Sequence, residues 1–412
     1  MKLKGTKRAL FLLRTYNDID HIVPIIWKLI TAGWQVFFVF VDVDYSEDYR
    51  IRFVVEKGAQ NARSAPIDFY HTKLRSSLNN RILIKISDRL IAYSFGLYFL
   101  VQHRINVIAS EWSGPFGRGR AVYFLRASSI LGLPVYSVPH GYHIWLNPIF
   151  NRKVAEIYQL RGSFPDFSNR NWYRKYVVQS PEHKKLSVEY GMNSEKVVVL
   201  GSARFCEEWS KINYNLLSGV SPLKRNDLFT VLFFLPHWDY NVHRNSCLSI
   251  LTKISNLESV FLGIKAHTRG TGALSPEERS QFESRLNVVS YDDSYHSTVL
   301  IKQADVVVNF GSSMTFEALR QGKPIINPTY LHDNQTFFDQ SGVVFDTSDD
   351  ESTLRKIIEL KAGRASMPEQ LSVDKFLHDR VDRSYGGREV LDNYLDLLSG
   401  GEVSCVNESV DM

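Results

Sequence analysis

The stretch of residues 304–319 constrains the fold of this chain most, because three consecutive valines are followed at once by a glycine-serine turn and a helical pattern. Such a β-branched run is typical of a strand that is buried on both faces of a parallel sheet. Gly311 permits an unusual backbone angle and a close approach by a ligand. Ser312 and Ser313 fall where a helix N-cap would lie, so their hydroxyls and the free backbone N–H groups predict a site for an anion such as phosphate.

Glu317 follows the glycine-serine turn by about one helical turn, at a distance that could reach the hydroxyl pair of a ribose. The same stretch is also typical of an ordinary capped helix behind a core strand, which is common in α/β proteins. Both interpretations stay open on this stretch alone.

The N-terminal part of the chain shows the strand-helix-strand order of a βαβ unit. Residues 9–13 and 35–41 are apolar and predict two strands, and Pro24 predicts the start of a helix between them. A unit of this size predicts a parallel sheet, in which ligands bind beyond the carboxyl ends of the strands. Residues 14–21 are predicted to form a polar loop at that edge. Either it is a plain solvated connection, or it contacts an acceptor or a phosphate through Arg14, Asn17, Asp18 and His21.

Residues 79–103 predict a helix whose apolar residues recur at mixed spacing. The density of Tyr and Phe, especially over residues 93–99, would suit a helix that lies on a membrane surface or faces an acceptor. A helix that is buried in the core explains the same pattern, and we prefer that interpretation.

Two residues that follow predicted strands are candidates for acid-base catalysis. Glu111 follows the strand predicted at residues 105–110 and could act as a base, or alternatively hydrogen-bond a loop or pair with Arg118 or Arg120. His140 lies between the strand predicted at residues 135–138 and Gly141. Its unperturbed pKa near neutrality suits a general base. A lone histidine is usually structural, but this position at a strand end favours a function.

The second half of the chain again shows apolar strands that are followed by polar residues. Strands are predicted at residues 229–235, 260–265 and 288–291, in addition to the three valines. The residues at their ends are candidates for contacts with a nucleotide: His237, Lys265, His267, Arg269, Ser290, Tyr291, Gly311, Ser312, Ser313 and Glu317.

Two series of alternating strands and helices predict two α/β domains, because 412 residues exceed one ordinary core. We predict an N-terminal Rossmann-like domain over residues 1–212 and a C-terminal one over residues 227–372. A linker of residues 213–226 joins them. Residues 373–400 predict a long helix that packs back on the N-terminal domain, and residues 401–412 a frayed tail.

The composition excludes several classes of protein. A net charge of +5 suits small anionic ligands or an anionic membrane surface, and does not indicate binding to nucleic acid. The three cysteines lack the spacing of a metal site or a disulfide framework, which predicts a reducing compartment. No apolar stretch is long enough to span a bilayer, and no cleavage pattern of a signal peptide follows the basic start. We therefore expect a cytoplasmic protein, in solution or peripherally on the inner face of the plasma membrane.

Five short motifs occur in a fixed order between about residues 130 and 330. They are Pro139-His140-Gly141, Gly201-Ser202-Ala203-Arg204, Val231 to Trp238, Ile264-Lys265-Ala266-His267, and Phe310-Gly311-Ser312-Ser313 with Glu317. Together they resemble the motifs of the CDP-glycerol glycerophosphotransferase-like group in the GT-B glycosyltransferase superfamily. The chain is also similar to bacterial surface-polysaccharide glycosyltransferases and to UDP-GlcNAc 2-epimerase. The similarity to the epimerase includes an arginine after the first strand, which is Arg14 in this chain.

The resemblance implies a GT-B fold, in which two Rossmann-like doubly wound domains face a central cleft. It implies a nucleotide-activated donor, linked to CMP, CDP or UDP, that is bound by the C-terminal domain. Lys265, His267, Ser312 and Ser313 would hold the donor phosphates, and Glu317 would hold the ribose.

The resemblance also implies the roles of the N-terminal domain. His140, or else Glu111, would deprotonate the acceptor hydroxyl, and Arg204 with the loop after the first strand would lie on the acceptor or phosphate side. No Asp-x-Asp pair stands at a strand end, because Asp42-Val43-Asp44 is interpreted as part of a loop. We therefore expect a reaction without a metal ion, with no cofactor besides the donor substrate.

Tyr142 and His143 stand where the glycerophosphotransferase-like group has Thr and Lys, and Gly311 replaces its tyrosine. Because of these departures, our first hypothesis is transfer of a sugar to a hydroxyl of a surface-polysaccharide acceptor, either lipid-linked or an oligosaccharide. The acceptor would belong to a capsule, an O-antigen or a teichoic-acid-like polymer. The alternatives are a transferase of a CDP-linked polyol phosphate, a nucleotide-sugar 2-epimerase, and a non-catalytic component of a capsule complex that binds a nucleotide sugar.

Overall fold

The computed structural model describes residues 6–112, 114–115, 119–219, 228–267, 273–382 and 388–401. Its contacts divide the chain into two units. The first unit, called the N-terminal domain below, comprises Met1–Tyr142, Asp166–Trp209 and Asp382–Met412. The second unit, called the C-terminal domain, comprises His143–Pro165 and Ser210–Val381.

The N-terminal domain contains a sheet of seven parallel strands in the order β3-β2-β1-β4-β5-β6-β7. Its strands are β1 (Arg8–Leu13), β2 (Gln35–Phe40), β3 (Gln60–Asn61), β4 (Val107–Ser110), β5 (Val135–Ser137), β6 (Lys175–Val178) and β7 (Val197–Val199).

The centre of this sheet is built by continuous apolar strands. Leu10 of β1 pairs with Phe37 of β2 on one side and with Ile108 of β4 on the other. All three side chains are buried. A run without polar alternation suits a strand that is covered on both faces, as the sequence of β1 predicts.

The C-terminal domain contains a second parallel sheet of six strands, in the order β10-β9-β8-β11-β12-β13. Its strands are β8 (Phe229–Phe234), β9 (Val260–Lys265), β10 (Val288–Tyr291), β11 (Val306–Val308), β12 (Ile325–Pro328) and β13 (Phe345–Thr347). The first strand, β8, lies near the centre. The next two strands, β9 and β10, follow it towards one edge of the sheet, and β11 to β13 follow towards the other edge, which is the doubly wound arrangement of a Rossmann-like domain.

Helices connect the strands in both domains. They are α1 (Tyr16–Thr31), α2 (Tyr49–Glu56), α3 (Ala65–Phe69), α4 (Arg81–Ile91), α5 (Leu97–Gln102), α6 (Ala121–Leu131), α7 (Arg152–Arg161), α8 (Pro181–Glu189), α9 (Glu207–Leu216), α10 (Arg244–Ser255), α11 (Pro276–Glu283), α12 (Ser297–Gln303), α13 (Met314–Arg320), α14 (Asp350–Lys361), α15 (Gln370–Arg380) and α16 (Val390–Leu398). The predicted α/β class with two Rossmann-like domains is confirmed.

The start of α1 corrects one prediction. The stretch 14–21 is not a loop, because α1 begins at Tyr16 and Pro24 lies inside it. Asp18 explains the early start, since its carboxylate accepts hydrogen bonds from the backbone N–H (2.9 Å) and the hydroxyl (3.1 Å) of Thr15. Together Thr15 and Asp18 form a capping box that satisfies the first turn.

The helix predicted at residues 79–103 exists, and its predicted burial in the core holds for α5, which buries Phe99 and Leu100, but not for α4. α4, a π-helical turn at Ala92–Gly96 and α5 follow one another without a break. In α4, Asp88 is the only buried residue, and Ile82, Leu83, Ile86 and Leu90 are exposed.

The segment 143–165 lies in the C-terminal domain, although the sequence places it before residue 212 in the N-terminal one. Aromatic stacking explains the difference, because the ring of Trp145 stacks on that of Tyr240 at a centroid distance of 5.5 Å. The backbone N–H of Arg152 also donates to the carbonyl of Asp239 at 2.8 Å.

Two connections at the domain boundaries also differ from the predictions. Residues 207–216 form α9, so the described part of the predicted linker is partly helical. The long C-terminal helix is two helices, α15 and α16, separated in the sequence by the poor helix formers Gly386 and Gly387. The second of them, α16, belongs to the N-terminal domain, where the Tyr394 hydroxyl donates to the carbonyl of Gly201 at 3.0 Å.

Among the described residues, no helix combines the length and the apolar content needed to cross a bilayer.

Candidate active site

His140 and Glu111 meet at the carboxyl edge of the N-terminal sheet. Glu111 directly follows β4, and His140 follows β5, which pairs with β4 in parallel. The Nδ1 atom of His140 lies 3.0 Å from Oε2 of Glu111. The Glu111 side chain is 7% exposed, whereas 25% of the His140 side chain is exposed. The pair therefore combines a buried carboxylate with an accessible imidazole.

Arg14 holds the other oxygen of the Glu111 carboxylate. Its Nη2 atom lies 3.2 Å from Oε1 of Glu111. Arg14 directly follows β1, which pairs with β4, so neighbouring parallel strands bring the two residues together. This pairing fixes the position of the Glu111 carboxylate beside His140.

Asp18 is the fourth member of this cluster. Its Oδ1 atom lies 3.6 Å from Nδ1 of His140. Its Oδ2 atom accepts hydrogen bonds from the backbone N–H groups of Arg14 (2.6 Å) and Thr15 (2.9 Å). The start of α1 thus fixes the carboxylate beside the histidine.

The surroundings of His140 set its protonation. Burial alone would lower the pKa of His140, but the carboxylates of Asp18 and Glu111 outweigh burial and raise this pKa above its usual value. Because both carboxylates approach Nδ1, they favour the neutral tautomer with its proton on Nδ1, which leaves Nε2 to take up a proton. The arrangement is that of a general base, His140, whose imidazole is oriented by a neighbouring carboxylate.

Trp112 supports the histidine ring from another side, and the sequence analysis did not single it out. Its ring centroid lies 5.4 Å from that of His140. Its Nε1 atom donates to the carbonyl of Val177 at 2.7 Å, which anchors the indole to β6. The only signal in the sequence is the position of Trp112 directly after Glu111.

Three predicted residues of the N-terminal domain lie outside this cluster. His21 is buried on α1, where its Nδ1 atom lies 3.2 Å from Nε2 of Gln179. Asn17 is partly exposed on the first turn of α1. Arg204 forms an ion pair with Asp20, with 3.0 Å between Nη1 and Oδ2.

Asp20 and Arg50, which the sequence analysis did not single out, form a second buried ion pair. Arg50 also binds the carboxylate of Asp48, and the ring of Tyr16 lies 4.9 Å from its guanidinium carbon. Since Asp20 is shared between Arg204 and Arg50, this network ties the start of α1 to residues after β2 and β7.

In the C-terminal domain, the glycine-serine turn follows β11 as predicted. Gly311 has a φ of +62°, which confirms the predicted unusual backbone angle. A chain residue already makes a close approach to it, because a Cβ atom on Gly311 would lie 2.7 Å from Cη2 of Trp145. Trp145 was not a predicted site residue, and no local sequence pattern links it to this turn.

Asn309 fixes the shape of the turn. Its Nδ2 atom donates to the carbonyl of Ser312 at 3.0 Å and to the hydroxyl of Thr315 at 2.7 Å. Its Oδ1 atom is buried, and no donor among the described residues reaches it. Ser313 is the N-cap of α13, but its side chain makes no capping hydrogen bond there.

Glu317 lies inside the domain, with 4% of the residue exposed. Its Oε1 atom accepts a hydrogen bond from Nε2 of Gln321 at 3.0 Å. The carboxylate predicted to contact a ribose therefore already accepts a hydrogen bond from the C-cap residue of α13.

Lys265 ends β9 and is also almost completely buried. Its Nζ atom donates to the carbonyl of Asp292 at 2.5 Å and to Oδ1 of Asp293 at 3.1 Å. Burial lowers the pKa of Lys265, and the carboxylate of Asp293 opposes that effect in part.

The rings of His237 and His267, at the ends of β8 and β9, lie edge to face with centroids 5.7 Å apart. Ser290 and Tyr291 end β10, and the Tyr291 ring covers Gly263, where a Cβ atom would lie 2.8 Å from it. Arg269 lies outside the described residues. Among the described residues, no group of three or more His, Cys, Asp or Glu side chains is arranged to hold a metal ion.

No protein-family model and no curated protein sequence matches the chain. Solved structures do resemble it. UDP-GlcNAc 2-epimerase from Neisseria meningitidis, bound to UDP-GlcNAc, has a TM-score of 0.57 at 15% identity, over 96% of this chain and 100% of that one. A glycosyltransferase from Rickettsia africae has a TM-score of 0.54 at 11% identity, over 96% of this chain and 98% of that one.

A third similar structure is UDP-GlcNAc 2-epimerase from Methanocaldococcus jannaschii in complex with UDP-GlcNAc and UDP. Its TM-score is 0.51 at 15% identity, over 90% of this chain and 98% of that one. At these identities the similarity shows the fold, and that fold is GT-B: two Rossmann-like domains, as the sequence predicts. The fold hosts both epimerases and glycosyltransferases, so the activity must be argued from the site.

Proposed function

We propose that the protein transfers a sugar from a nucleotide-activated donor to a hydroxyl of a bacterial surface-polysaccharide acceptor. The observation that carries this proposal is the pair of His140 and Glu111 at the carboxyl edge of the N-terminal sheet. Transfer to a hydroxyl needs a base that takes up the proton of the hydroxyl. In this pair the imidazole of His140 can act as that base, and the carboxylate of Glu111 can orient it.

In the proposed reaction, Nε2 of His140 removes the proton of the acceptor hydroxyl. The hydroxyl oxygen forms a bond to the anomeric carbon of the sugar, while the bond from that carbon to the phosphate oxygen breaks and the nucleotide leaves with the electron pair. The imidazolium is then stabilised by the carboxylates of Glu111 and Asp18, which lie 3.0 and 3.6 Å from Nδ1. Arg14 holds the Glu111 carboxylate in place for this role.

We assign the acceptor side to the N-terminal domain. Arg14 and Asn17 are the predicted residues there with partly exposed side chains next to the start of α1. His21 is buried against Gln179 and Arg204 is paired with Asp20, so we assign these two a positioning role. A lipid-linked or oligosaccharide acceptor of a capsule, an O-antigen or a teichoic-acid-like polymer fits this proposal.

We assign the donor to the C-terminal domain. Its Rossmann-like sheet supports this assignment, since ligands of such sheets bind at the carboxyl ends of the strands. The neighbours of the same fold from Neisseria and Methanocaldococcus were solved with UDP-GlcNAc, and the latter also with UDP. The proposed contacts are His237, Lys265, His267, Arg269, Ser290, Tyr291, Asn309, Gly311, Ser312, Ser313 and Glu317.

A nucleotide-sugar 2-epimerase is the second candidate. It is favoured by the epimerase structures, which match 90–96% of this chain at TM-scores of 0.51–0.57. The two activities differ in one requirement, because an epimerase converts its nucleotide sugar with no acceptor present.

Two steps test the proposal. A thermal-shift screen with CMP, CDP, UDP and GDP identifies the nucleotide, because a bound ligand stabilises the native state by mass action. The matching nucleotide sugars are then incubated with the protein, with and without a lipid-linked oligosaccharide fraction, and the products are analysed by mass spectrometry.

Sugar on the acceptor supports the proposal. Conversion of the nucleotide sugar without an acceptor would decide for the epimerase, and transfer of glycerol phosphate would decide for a polyol-phosphate transferase. Nucleotide binding without any turnover would leave a non-catalytic binding protein. We also expect transfer to continue in excess EDTA, since we propose a metal-independent reaction. Loss of transfer with EDTA and its return with added Mg²⁺ would contradict that part.

A further inference from the structure

The helical segment of residues 81–102 buries Phe99 and Leu100 at its end, but most of its large apolar side chains are not on its buried side. Its inner side carries small or polar residues such as Asp88, Ala92 and Gly96, all buried. Gly96 lies so close to α6 that a Cβ atom there would be 2.7 Å from the carbonyl oxygen of Tyr123. The segment is therefore seated tightly on α6, and its orientation is fixed.

The outer side of the same segment carries a row of large apolar side chains. Six of them are between 47% and 68% exposed: Ile82, Ile86, Leu90, Tyr93, Tyr98 and Val101. A surface helix normally turns its apolar stripe towards the core. A continuous exposed apolar surface of this kind marks a site of interaction.

A basic stripe runs beside the apolar one. Arg81, Lys85 and Arg89 recur every fourth residue, each directly before a member of the apolar row that begins at Ile82, so both rows run along the helix together. All three basic residues are exposed.

The segment has almost no negative charge. Residues 70–106 contain six Lys and Arg residues and one acidic residue, Asp88. Asp88 is buried and is hydrogen-bonded by the hydroxyls of Tyr70 (3.1 Å) and Tyr123 (3.2 Å). The carboxylate thus holds the helix to the domain and leaves the exposed side of residues 81–102 without a negative charge.

We propose that this face, residues 81–101 with its apolar and basic rows, binds the surface of an anionic lipid bilayer, with the helix lying in the plane of the interface. Apolar side chains insert between the headgroups, and the adjacent Lys and Arg side chains contact the lipid phosphates. A second copy of the chain is a less suitable partner for this face than a bilayer. A symmetric contact would bring the two basic rows together without an exposed carboxylate from this segment to compensate them.

This inference extends the proposed function, because membrane binding would bring the protein to a lipid-linked acceptor. Only this biological role of the binding rests on the proposed function. The binding itself needs no donor and no turnover. Failure of the membrane assay and failure of the transfer assay are therefore separate results.

The test is co-sedimentation of the full chain with vesicles of phosphatidylglycerol and phosphatidylcholine, and with vesicles of phosphatidylcholine alone, at about 0.1 M salt. We expect binding to the anionic vesicles only. The triple variant Arg81→Gln, Lys85→Gln, Arg89→Gln should lower the partition coefficient by about 100-fold, because each basic residue near an anionic membrane adds to the free energy of binding. The triple variant Ile82→Ser, Ile86→Ser, Leu90→Ser should lower it similarly.

Matched controls change the same residue types elsewhere. Leu160→Ser, Leu286→Ser, Leu371→Ser removes three leucines that are at least 81% exposed. Arg152→Gln, Lys153→Gln, Arg161→Gln removes three exposed charges of α7. Both controls should bind anionic vesicles like the unaltered protein, and circular dichroism should show that all variants are folded.

Three results would overturn the proposal. The first is no sedimentation with anionic vesicles, and the second is equal binding to both kinds of vesicle. The third is a dimer in light scattering that the apolar triple variant breaks, without any binding to vesicles, because a second copy then covers this face.

Discussion

The Nδ1 atom of His140 lies 3.0 Å from Oε2 of Glu111, and this contact joins the ends of two neighbouring parallel strands. It leaves Nε2 as the atom that can take up a proton. The carboxylate is itself held by Arg14, so a charge on the imidazole meets a fixed negative partner. This relationship makes the N-terminal domain the source of the proposed base.

Replacing Glu111 should shift the pH dependence of transfer. The carboxylates raise the pKa of His140, and a general base must be neutral, so the rate should rise with pH around a midpoint above the usual histidine value. Glu111→Gln removes one negative charge, so the midpoint should move to lower pH, and kcat should fall about 100-fold. The measurement is kcat/KM as a function of pH.

The control for this variant is Glu156→Gln, which changes an exposed glutamate of α7. It should leave both the midpoint and kcat unchanged. An unchanged midpoint in Glu111→Gln would show that the carboxylate does not set the protonation of the base.

Replacing Gly311 should destabilise the C-terminal domain more than replacing another glycine of the same backbone conformation. Gly311 and Gly322 have φ angles of +62° and +64°, but only Gly311 faces a neighbour, Trp145. Gly322→Ala should cost about 1–2 kcal/mol for the left-handed conformation. Gly311→Ala should cost a further ~1–3 kcal/mol, because the Trp145 ring must move out of a packed position.

Urea denaturation of the two variants measures this difference. Equal free energies of unfolding for Gly311→Ala and Gly322→Ala would show that Trp145 yields without cost. In that case the turn would be less rigid than its contacts indicate.

Replacing Lys265 should weaken nucleotide binding. Hydrogen bonds to charged groups contribute about 1.5–3 kcal/mol, so Lys265→Met should raise the Kd of the nucleotide about 10–100-fold. The side chain of Met fills the buried volume, and the Asp293 side chain left behind is 68% exposed and stays solvated, so the fold should survive.

Isothermal titration calorimetry measures this Kd. Lys253→Met, which removes a half-exposed lysine paired with Asp350, is the control and should bind the nucleotide normally. A normal Kd in Lys265→Met would mean that this lysine only ties β9 to the residues after β10.

Residues at strand ends could be predicted because parallel strands align their carboxyl ends. That rule placed Arg14, Glu111 and His140 at one edge, and the structure brings them together with Asp18. The β-branched runs, such as the three valines of β11, likewise predicted the strands correctly.

Other features depend on contacts that no local pattern encodes. His21 was predicted in a loop because Pro24 looked like a helix start, whereas the Thr15 and Asp18 capping box starts α1 earlier and buries His21. Trp145 reaches the glycine-serine turn only through the stacking of its segment on Tyr240.

The exposed helix shows the limit of periodicity. An apolar stripe predicts that one side of a helix is covered, but it does not say by what. In residues 81–102 the small inner residues Ala92 and Gly96 fit against α6 and Phe99 and Leu100 are buried, but Ile82, Ile86 and Leu90 remain outside. The sequence therefore predicted a core helix where the structure has a helix that is in the core at its end and on the surface at its start.

The most direct test of the account is to measure sugar transfer and nucleotide affinity side by side in the unaltered protein and in His140→Ala, using the nucleotide found in the thermal-shift screen. The account predicts that the variant loses about 10²–10⁴-fold in kcat, as expected for removal of a general base, while the Kd of the nucleotide stays the same. Full transfer by His140→Ala would contradict the role of His140 and, with it, the proposed division of labour between the two domains.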